Sequence, residues 1–440
     1  MRGAVSAGMA AALMCLGLSD SFDSIYGSSA GSVIGAYMVS RQLCMDVYVD
    51  ILPSAKGDFV CLKRLWRSIA MDLLDTTLFK RAAANRLSRQ VQPGLNTSFI
   101  LDEIMHPERG VRPLDLQAFL HNNRDQPLNI AATYAENGRL IPHCFRGRDF
   151  YTAKGPDGRE GVIACLQASM TVPGAAGDPV KITDENGHTR SFFDAFCCEP
   201  IPYRSAVADG ATHVLALCTR PDGYQPKTKP TLYETAIAPT YFNVHGEADL
   251  AQFFKQGGQQ YLYAEDLMTL LEAQLDRGDG VLVPPPTILY GAEHRDSQAE
   301  YLSSHRHEWR KAHLLPIKVP VGTSELPTLE NKRDSVLEAV RGGFAVVYDI
   351  FAPALGLEID SMDGEHVARI VFPDAPAEAA EPAKIKPVRL VETVAQKAGV
   401  DPEEDYVQQV RKVLDMLPGM DSDSFFSFLD SIRKVHNAYE

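Results

Sequence analysis

A short segment, Gly-Ser-Ser-Ala-Gly at 27–31, limits the fold of this chain more than any other stretch. Ser29 is the centre of its G-x-S-x-G pattern, residues 22–26 before it are strand-like, and residues 32–39 after it have helical character. A strand, a sharp turn and a helix in this order are typical of a nucleophile elbow, in which a strained backbone lifts a serine hydroxyl above a sheet. The two glycines fit because larger side chains would collide across such a turn.

The helix after the turn supports this interpretation. Its N-terminal N–H groups would point at the site, where negative charge develops on an attacked carbonyl. The same residue types also suit a plain Gly/Ser turn between a strand and a helix, so the pattern alone is a modest indication of catalysis.

Composition sets broad limits on the function. The chain has 440 residues, with 43 basic and 57 acidic side chains and a formal net charge of −14. An acidic chain of this kind is not a general nucleic-acid binder, so we expect no nucleic-acid partner. The length favours two or three domains, and the apolar share of 45% is ordinary for a globular protein.

The eight cysteines favour a reduced, intracellular setting. None forms a C-x-x-C pair, none follows Cys218, and Cys165 lies in an apolar run, so buried thiols are a simpler interpretation than a disulfide framework. The adjacent Cys197 and Cys198 are interpreted as packed thiols rather than a redox pair. No apolar run reaches about 18 residues, so we expect no membrane-spanning helix and a cytoplasmic or peripheral-membrane location.

The N-terminal residues allow two interpretations. Arg2 followed by the apolar run 10–18 has the character of a short signal peptide. Cleavage there would leave only a few residues before the strand and the elbow. We therefore expect a structural helix over residues 4–17, whose alanines permit close packing against a neighbour.

The next part of the chain alternates between strands and helices. Residues 44–90 and 160–170 look helical, whereas 128–134 and 140–145 read as strands of a hairpin around Asn137-Gly138. A second Asn-Gly turn separates strands near 179–182 and 191–193, and 213–218 is an apolar run of the kind buried on both faces. This alternation predicts an α/β layered fold.

Beyond residue 225 helices are expected to dominate, at 262–276, 296–314 and 330–342. The basic stretch 303–313 is interpreted as a solvated helix face rather than a lipid-headgroup contact, and its His305 and His307 are spaced poorly for a metal pair. The expected organisation places a helical extension at 296–371, a flexible Pro/Ala/Glu linker at 372–388 and C-terminal helices at 389–440.

A serine nucleophile needs a base to take its proton, and two kinds of base are open. In a triad a histidine would take the proton; His213 begins an apolar strand, where a lone histidine is usually structural, and His188 lies at an Asn-Gly turn. In a dyad an aspartate would act directly on Ser29, and Asp194 and Asp209 are the candidates.

Four separated pieces of sequence favour the dyad. They are Arg2-Gly3 at the head of the first helix, the elbow at Ser29, the Ala-Ser-Met-Thr-Val-Pro segment 168–173 that leads to Asp194, and Asp209-Gly210-Ala211. In this order they resemble the patatin-like phospholipases, over about residues 1–220 with an outer limit at 295.

The resemblance implies an α/β layered sandwich with a parallel-rich central sheet and flanking helices. It implies hydrolysis of fatty-acyl esters by a Ser–Asp dyad, with neither a metal nor another cofactor. The implied partners are membrane or lipid-droplet lipids, which are contacted peripherally. The implied site comprises Ser29 as nucleophile, Asp194 as its partner, Arg2, Gly3 and Ala30 at the oxyanion site and turn, and Gly27 and Gly31 at the elbow.

The sequence departs from the family pattern in two places. The family's oxyanion loop follows a strand and a run of glycines, of which only Arg2-Gly3 match, so a domain over 1–295 is expected to lack that strand and loop. Phe196 stands where a small residue is expected, and it would narrow the site. Asp209 matches the family's triplet literally, but Asp194 is preferred because it follows a hairpin. An impaired lipid-binding protein and a Ser-His-Asp esterase remain the alternatives.

Overall fold

A computed structural model gives the fold of the chain. The prediction for residues 44–90 lies largely outside the part that it describes, as do the predicted linker at 372–388 and the predicted helices at 389–440. The described residues are 2–43, 45–55, 59–61, 64, 93–225, 231–276, 278–286, 288–290, 304–327, 330, 332–355 and 363–374.

The described elements alternate as an α/β protein, and most expected elements are present to within a few residues. The strands are β1 Ile25–Ser28, β2 Leu128–Glu136, β3 Arg139–Phe145, β4 Val180–Thr183, β5 Thr189–Asp194, β6 His213–Leu217, β7 Val281–Val283, β8 Leu289–Tyr290 and β9 Arg310–Ile317. The α-helices are α1 Gly3–Cys15, α2 Ala30–Val39, α3 Leu52–Ser54, α4 Leu116–Asn122, α5 Asp149–Thr152, α6 Gly161–Met170, α7 Tyr203–Ala208, α8 Ala238–Val244, α9 Ala248–Lys255, α10 Gly258–Leu275, α11 Arg333–Phe351 and α12 Gly364–Val371. Single π or 3₁₀ turns lie at Ser19–Ser21, Val47–Ile51, Phe99–Ile104, Pro156–Gly158, Ala195–Cys197, Tyr233–Ile237, Arg306–Glu308 and Pro353–Leu355.

The larger sheet has the order β4-β5-β2-β3-β8, and β1 also pairs with β2. The expected hairpin joins β2 to β3, with Asn137 at φ 52° and Gly138 at φ 71°. Positive φ at both central residues is the geometry that an Asn-Gly turn favours, because it matches the twist of the flanking strands. The second Asn-Gly turn likewise connects β4 to β5.

The expectation of a parallel-rich sheet is corrected by the pairing of the strands. Of the described pairings, β1 with β2 and β6 with β9 are parallel, and the others are antiparallel. The hairpins are the physical reason, since a tight turn can join only antiparallel neighbours. The fold is thus α/β with mixed sheets.

One edge of β2 is shared by two strands, and this arrangement positions the candidate site. The first half of β2 pairs with β1, where Ser28 lies opposite Ala131, and the second half pairs with β5, where Asp194 lies opposite Ala132. Because β1 is parallel to β2 and β5 is antiparallel to it, the two strands run toward each other. Their carboxyl ends therefore meet at adjacent residues of β2.

A smaller sheet has the order β6-β9-β7. Two expectations are wrong here. Residues 310–317 form a strand rather than the end of a helix over 296–314, because they are paired on both sides, with β6 and with β7. Strand β6 is only partly buried, and it begins at an exposed His213, so it is not covered on both faces.

Helices α1 and α11 pack through reciprocal glycines. A β-carbon added to Gly8 would lie 2.0 Å from the carbonyl oxygen of Val340, and one added to Gly343 would lie 2.0 Å from that of Val5. All residues of α1 from Gly3 to Leu13 are buried, so the expectation of a structural helix is confirmed. Because α11 shares this core with residues 1–295, the extension is packed against them; the division of the chain into domains stays a prediction.

Cys165, Cys197, Cys198 and Cys218 are free and buried, as the interpretation of packed thiols requires. Burial raises the pKa of the Cys218 thiol to about 12, so this group stays protonated and unreactive at neutral pH. Within the described ranges, no helix combines the length and the apolar character needed to cross a bilayer.

Candidate active site

Ser29 occupies the strained position that the elbow predicts. It lies between β1 and α2 with φ 50° and ψ −121°, a conformation that few residues with a side chain adopt. The turn is held by the following helix, since the backbone N–H and the hydroxyl of Ser32 both donate to the carbonyl oxygen of Ser29, at 3.0 and 2.6 Å. The surrounding structure therefore sustains the strain.

The two elbow glycines are not equivalent. A β-carbon on Gly27 would lie 2.6 Å from both the Gly31 carbonyl oxygen and the α-carbon of Ser32, whereas one on Gly31 would meet nothing within 4 Å. The steric explanation for glycine therefore holds at Gly27 and is wrong at Gly31.

This asymmetry makes a matched pair of variants. We expect Gly27→Ala to destabilise the protein by about 1–3 kcal/mol and to lower esterase activity, because backbone atoms of α2 must move away from the new methyl group. Gly31→Ala should unfold within about 1 kcal/mol of wild type. Urea denaturation of both variants measures the difference, and equal midpoints would show that the elbow tolerates a side chain at either position.

Asp194 ends β5 directly beside Ser29. The Ser29 hydroxyl donates to Asp194 Oδ2 at 2.6 Å, and the Phe196 backbone N–H donates to Oδ1 at 2.9 Å. The backbone N–H of Asp194 donates to the carbonyl oxygen of Thr171 at 2.9 Å. With both oxygens of its carboxyl group bonded and only 1% of the residue exposed, Asp194 is fixed in one orientation toward the serine.

Burial raises the pKa of Asp194 to about 7, and the hydrogen bonds from Phe196 and Ser29 oppose this rise. A carboxyl group with such a pKa is a far better proton acceptor than an exposed aspartate, and it can also return the proton near neutral pH. The same burial that costs solvation thus gives this carboxyl group a proton affinity that is suited to acid–base chemistry near neutral pH.

Ser169, on α6, holds the elbow by a hydrogen bond to the backbone of Ser29. The sequence patterns did not predict this role. Its hydroxyl accepts from the Ser29 backbone N–H at 2.9 Å and donates to the Ala131 carbonyl oxygen at 2.6 Å. It thereby joins the strained turn to β2. The Ala-Ser…Pro segment indicated that this region belongs to the site. It did not identify Ser169, because the two partners of its hydroxyl, Ser29 and Ala131, are distant in sequence.

Two helix N-termini converge at the serine. Gly3 begins α1 and Ala30 begins α2, and a β-carbon on Gly3 would lie 2.6 Å from that of Ala30. The first N–H groups of a helix have no acceptor within it. This pair of backbone donors is suited to stabilising an oxyanion formed beside Ser29.

The other two charged candidates, Arg2 and Asp209, are paired with residues other than Ser29. Arg2 pairs with Glu325, its Nη2 lying 2.8 Å from Oε1. Asp209 accepts from the Tyr26 hydroxyl at 2.7 Å and pairs with Arg146 at 2.9 Å, which occupies it structurally. It therefore does not contact Ser29.

No described histidine contacts Ser29. His213 stacks on the ring of His313 with 4.7 Å between centroids, and exposed His188 lies 3.5 Å from Asp184. In the part of the chain that the structure describes, no group of histidine, cysteine and acidic side chains is arranged to hold a metal ion. The structure therefore gives the triad alternative no support.

Ser29 and Asp194 open into a cavity of about 1470 Å³. Phe196 also borders it, with its ring 5.7 Å from that of Tyr233. The larger part of the lining is apolar, which suits an acyl chain. The apolar part of the wall includes Val33, Ile34, Met38, Met170, Ile237 and Phe351.

The fold is that of an α/β protein, and its site brings a serine on a strained strand–turn–helix elbow against a buried carboxyl group. Residues 1–207 match the family model described as patatin-like phospholipase, and the match includes both Ser29 and Asp194. This part of the chain is therefore similar to the patatin-like phospholipases, a family whose members are generally serine hydrolases that act on lipids. No curated protein matches the chain.

Proposed function

We propose that the protein is a lipid acyl hydrolase that cleaves fatty-acyl esters with a Ser29–Asp194 dyad. The observation that carries this proposal is the 2.6 Å hydrogen bond from the Ser29 hydroxyl to a buried carboxyl group, in the wall of a largely apolar cavity. The match of residues 1–207 to the patatin-like phospholipase model adds the expectation of lipid substrates.

In the first step the ionised Asp194 accepts the proton of the Ser29 hydroxyl as Oγ attacks the ester carbonyl carbon. A new C–O bond forms, and the carbonyl electron pair moves onto oxygen. The backbone N–H groups of Gly3 and Ala30 are placed to bind this oxyanion. Each donor of such a site typically contributes about 10²–10³ in turnover.

In the second step the tetrahedral intermediate collapses and the bond to the leaving alcohol breaks. Asp194, now protonated, gives its proton to the departing oxygen, which leaves an acyl-serine. A water molecule then loses a proton to Asp194 as it attacks the acyl carbon, and the same sequence releases the fatty acid and restores the Ser29 hydroxyl. The acyl chain would lie in the apolar part of the cavity, with the protein in peripheral contact with the lipid surface.

A fluorophosphonate probe tests the nucleophile directly. Oγ of an activated serine displaces fluoride and forms a stable phosphonate ester, so a peptide of the purified protein that contains Ser29 should gain the probe's mass. Fatty-acid release from lipid esters should disappear in proportion to labelling. Labelling at a different serine, or none at all in a protein that still releases fatty acid, would rule out the dyad.

A further inference from the structure

One wall of the cavity carries a cluster of charged and aromatic residues that the proposed reaction does not use. Its centre is Arg220, whose guanidinium lies 4.0 Å from the ring centroid of Tyr224 and 4.3 Å from that of Tyr263. Both rings and Arg220 line the cavity. A guanidinium held against two rings has lost most of its freedom, so little further entropy is lost when it binds a ligand.

The cluster has more donors than acceptors. Glu325 lies 2.8 Å from Arg2 and 3.8 Å from Arg220, so one carboxylate faces two guanidinium groups. Nε of Arg2 is buried without a hydrogen-bond partner, and so is Oε1 of Glu325. Burial lowers the pKa of Arg220, and the positive charge of Arg2 lowers it further, although the group stays protonated. Arg2, Arg220 and Glu325 together thus carry one net positive charge, and both guanidinium groups line the cavity.

Helix α10 adds to the positive potential at the same wall. It is 18 residues long, begins at Gly258 and has no side-chain cap. Gln260 and Tyr263, which lie one turn apart on the helix, both line the cavity. Glu234 is the acidic neighbour here; its Oε2 accepts from Gln260 at 2.7 Å and from the Thr231 hydroxyl at 2.8 Å. An anion near the start of α10 would interact favourably with the helix dipole.

The cluster lies close to the proposed reaction centre. Arg2 directly precedes Gly3, which packs against Ala30 next to the nucleophile. In a glycerophospholipid, the phosphorus atom is separated from an acyl carbonyl by only a few covalent bonds. A phosphate at Arg220 is thus compatible with an ester at Ser29.

We propose that Arg220, held between Tyr224 and Tyr263 and flanked by Arg2, binds the phosphate group of the substrate and selects acyl esters of glycerophospholipids over neutral glycerides. The planar guanidinium fork matches two phosphate oxygens, and such charge-assisted bonds are the stronger kind. The proposal rests on the proposed function, because it assigns the substrate of the Ser29–Asp194 site.

The kinetic test compares a phosphatidylcholine with a diacylglycerol of the same acyl chains in mixed micelles. In Arg220→Gln we expect KM for the phospholipid to rise about 10-fold or more with kcat largely kept, whereas KM for the diacylglycerol stays within about 2-fold of wild type. Arg220→Lys keeps the positive charge but loses the planar fork of donors. Its KM for the phospholipid should therefore lie between the values for the wild type and for Arg220→Gln. Arg148→Gln is the control, because that side chain is 84% exposed and does not line the cavity.

A binding measurement separates this proposal from the proposed function. Ser29→Ala protein is titrated calorimetrically with an ether-linked lysophosphatidylcholine, with the corresponding glycerol ether, and with inorganic phosphate. The phosphate-bearing ether should bind at least 10-fold more tightly than the neutral ether, and adding Arg220→Gln should remove that difference. Equal binding of the two ethers, or equal loss of both ester activities in Arg220→Gln, would overturn the phosphate site while leaving the dyad intact. Selective binding in a wild-type protein that cleaves no ester would instead keep the phosphate site and reject the dyad.

Discussion

Ser29→Ala is expected to reduce hydrolysis of a short-chain nitrophenyl ester by about 10⁴-fold or more, because no other described group replaces the attacking oxygen. The hydroxyl is small and its loss leaves no large cavity, so the thermal midpoint should change little. Removal of one hydrogen bond to Asp194 also leaves that carboxyl with the Phe196 N–H as its described donor. The rate is measured at equal protein concentration, with folding checked by circular dichroism.

Ser28→Ala is the matched control for this experiment. Ser28 is adjacent in sequence, but its hydroxyl donates to the Pro200 carbonyl oxygen at 2.7 Å rather than to the carboxyl group. We expect this variant to keep activity within about 10-fold of wild type and to lose about 0.5–1.5 kcal/mol of stability. Unchanged turnover in Ser29→Ala, or a loss in Ser28→Ala as large as in Ser29→Ala, would remove Ser29 from the mechanism.

The elbow at Ser29 can be predicted from the local sequence, whereas the contact between Ser29 and Asp194 cannot. The strained turn at Ser29 is encoded within a few residues on either side, so the elbow was recognisable from its glycines and flanking periodicity. Asp194 was found only through the order of family motifs. Its approach to Ser29 depends on two strands sharing one edge of β2. The paired residues are far apart in sequence, Ile25 with Leu128 and Ala132 with Asp194, so this register cannot be read locally.

Errors in the sequence interpretation have the same origin. Residues 310–317 were expected to be helical, but pairing with two neighbouring strands overrides the weak local preference. The motif suggested that a side chain at position 31 would collide with the turn. The structure shows instead that a β-carbon on Gly31 would have no neighbouring atom within 4 Å. The sequence did not indicate a role for Arg220. Tyr224 is its neighbour in sequence, but Tyr263 and Glu325 come from distant parts of the chain and are brought to it only by the fold.

Asp194→Asn is expected to lose activity as completely as Ser29→Ala, because an amide of the same shape cannot accept the serine proton. In the wild-type enzyme the pH profile of kcat/KM should show an acidic limb near pH 7. The ionised carboxylate is the active form, and it predominates only above the raised pKa of about 7. Activity should therefore fall about tenfold for each pH unit below this limb, measured with an ester whose leaving group does not titrate in this range.

Two variants distinguish Asp194 from the other candidate bases. Asp209→Asn removes a partner of Tyr26 and Arg146, so it should lower stability while keeping most of the activity and the same acidic limb. His213→Ala should change the rate only modestly, because its ring stacks on His313 and not on the serine. An acidic limb that disappears in His213→Ala but persists in Asp194→Asn would assign the base to the imidazole.

The difference in stability between Asp194→Asn and the wild type should also depend on pH in a defined direction. The pKa of an unfolded aspartate is about 4, and burial raises it to about 7 in the folded protein, so the folded state binds the proton more tightly. The stabilisation that this group contributes is fully present below pH 4, declines as pH rises, and is lost above about pH 7. The neutral asparagine has no such dependence.

The free energy of unfolding of the variant minus that of the wild type, measured by urea denaturation, should therefore be larger at pH 8 than at pH 5. A difference that is the same at both pH values would mean that Asp194 is ionised in the folded protein throughout this range, and that the raised pKa does not explain the acidic limb.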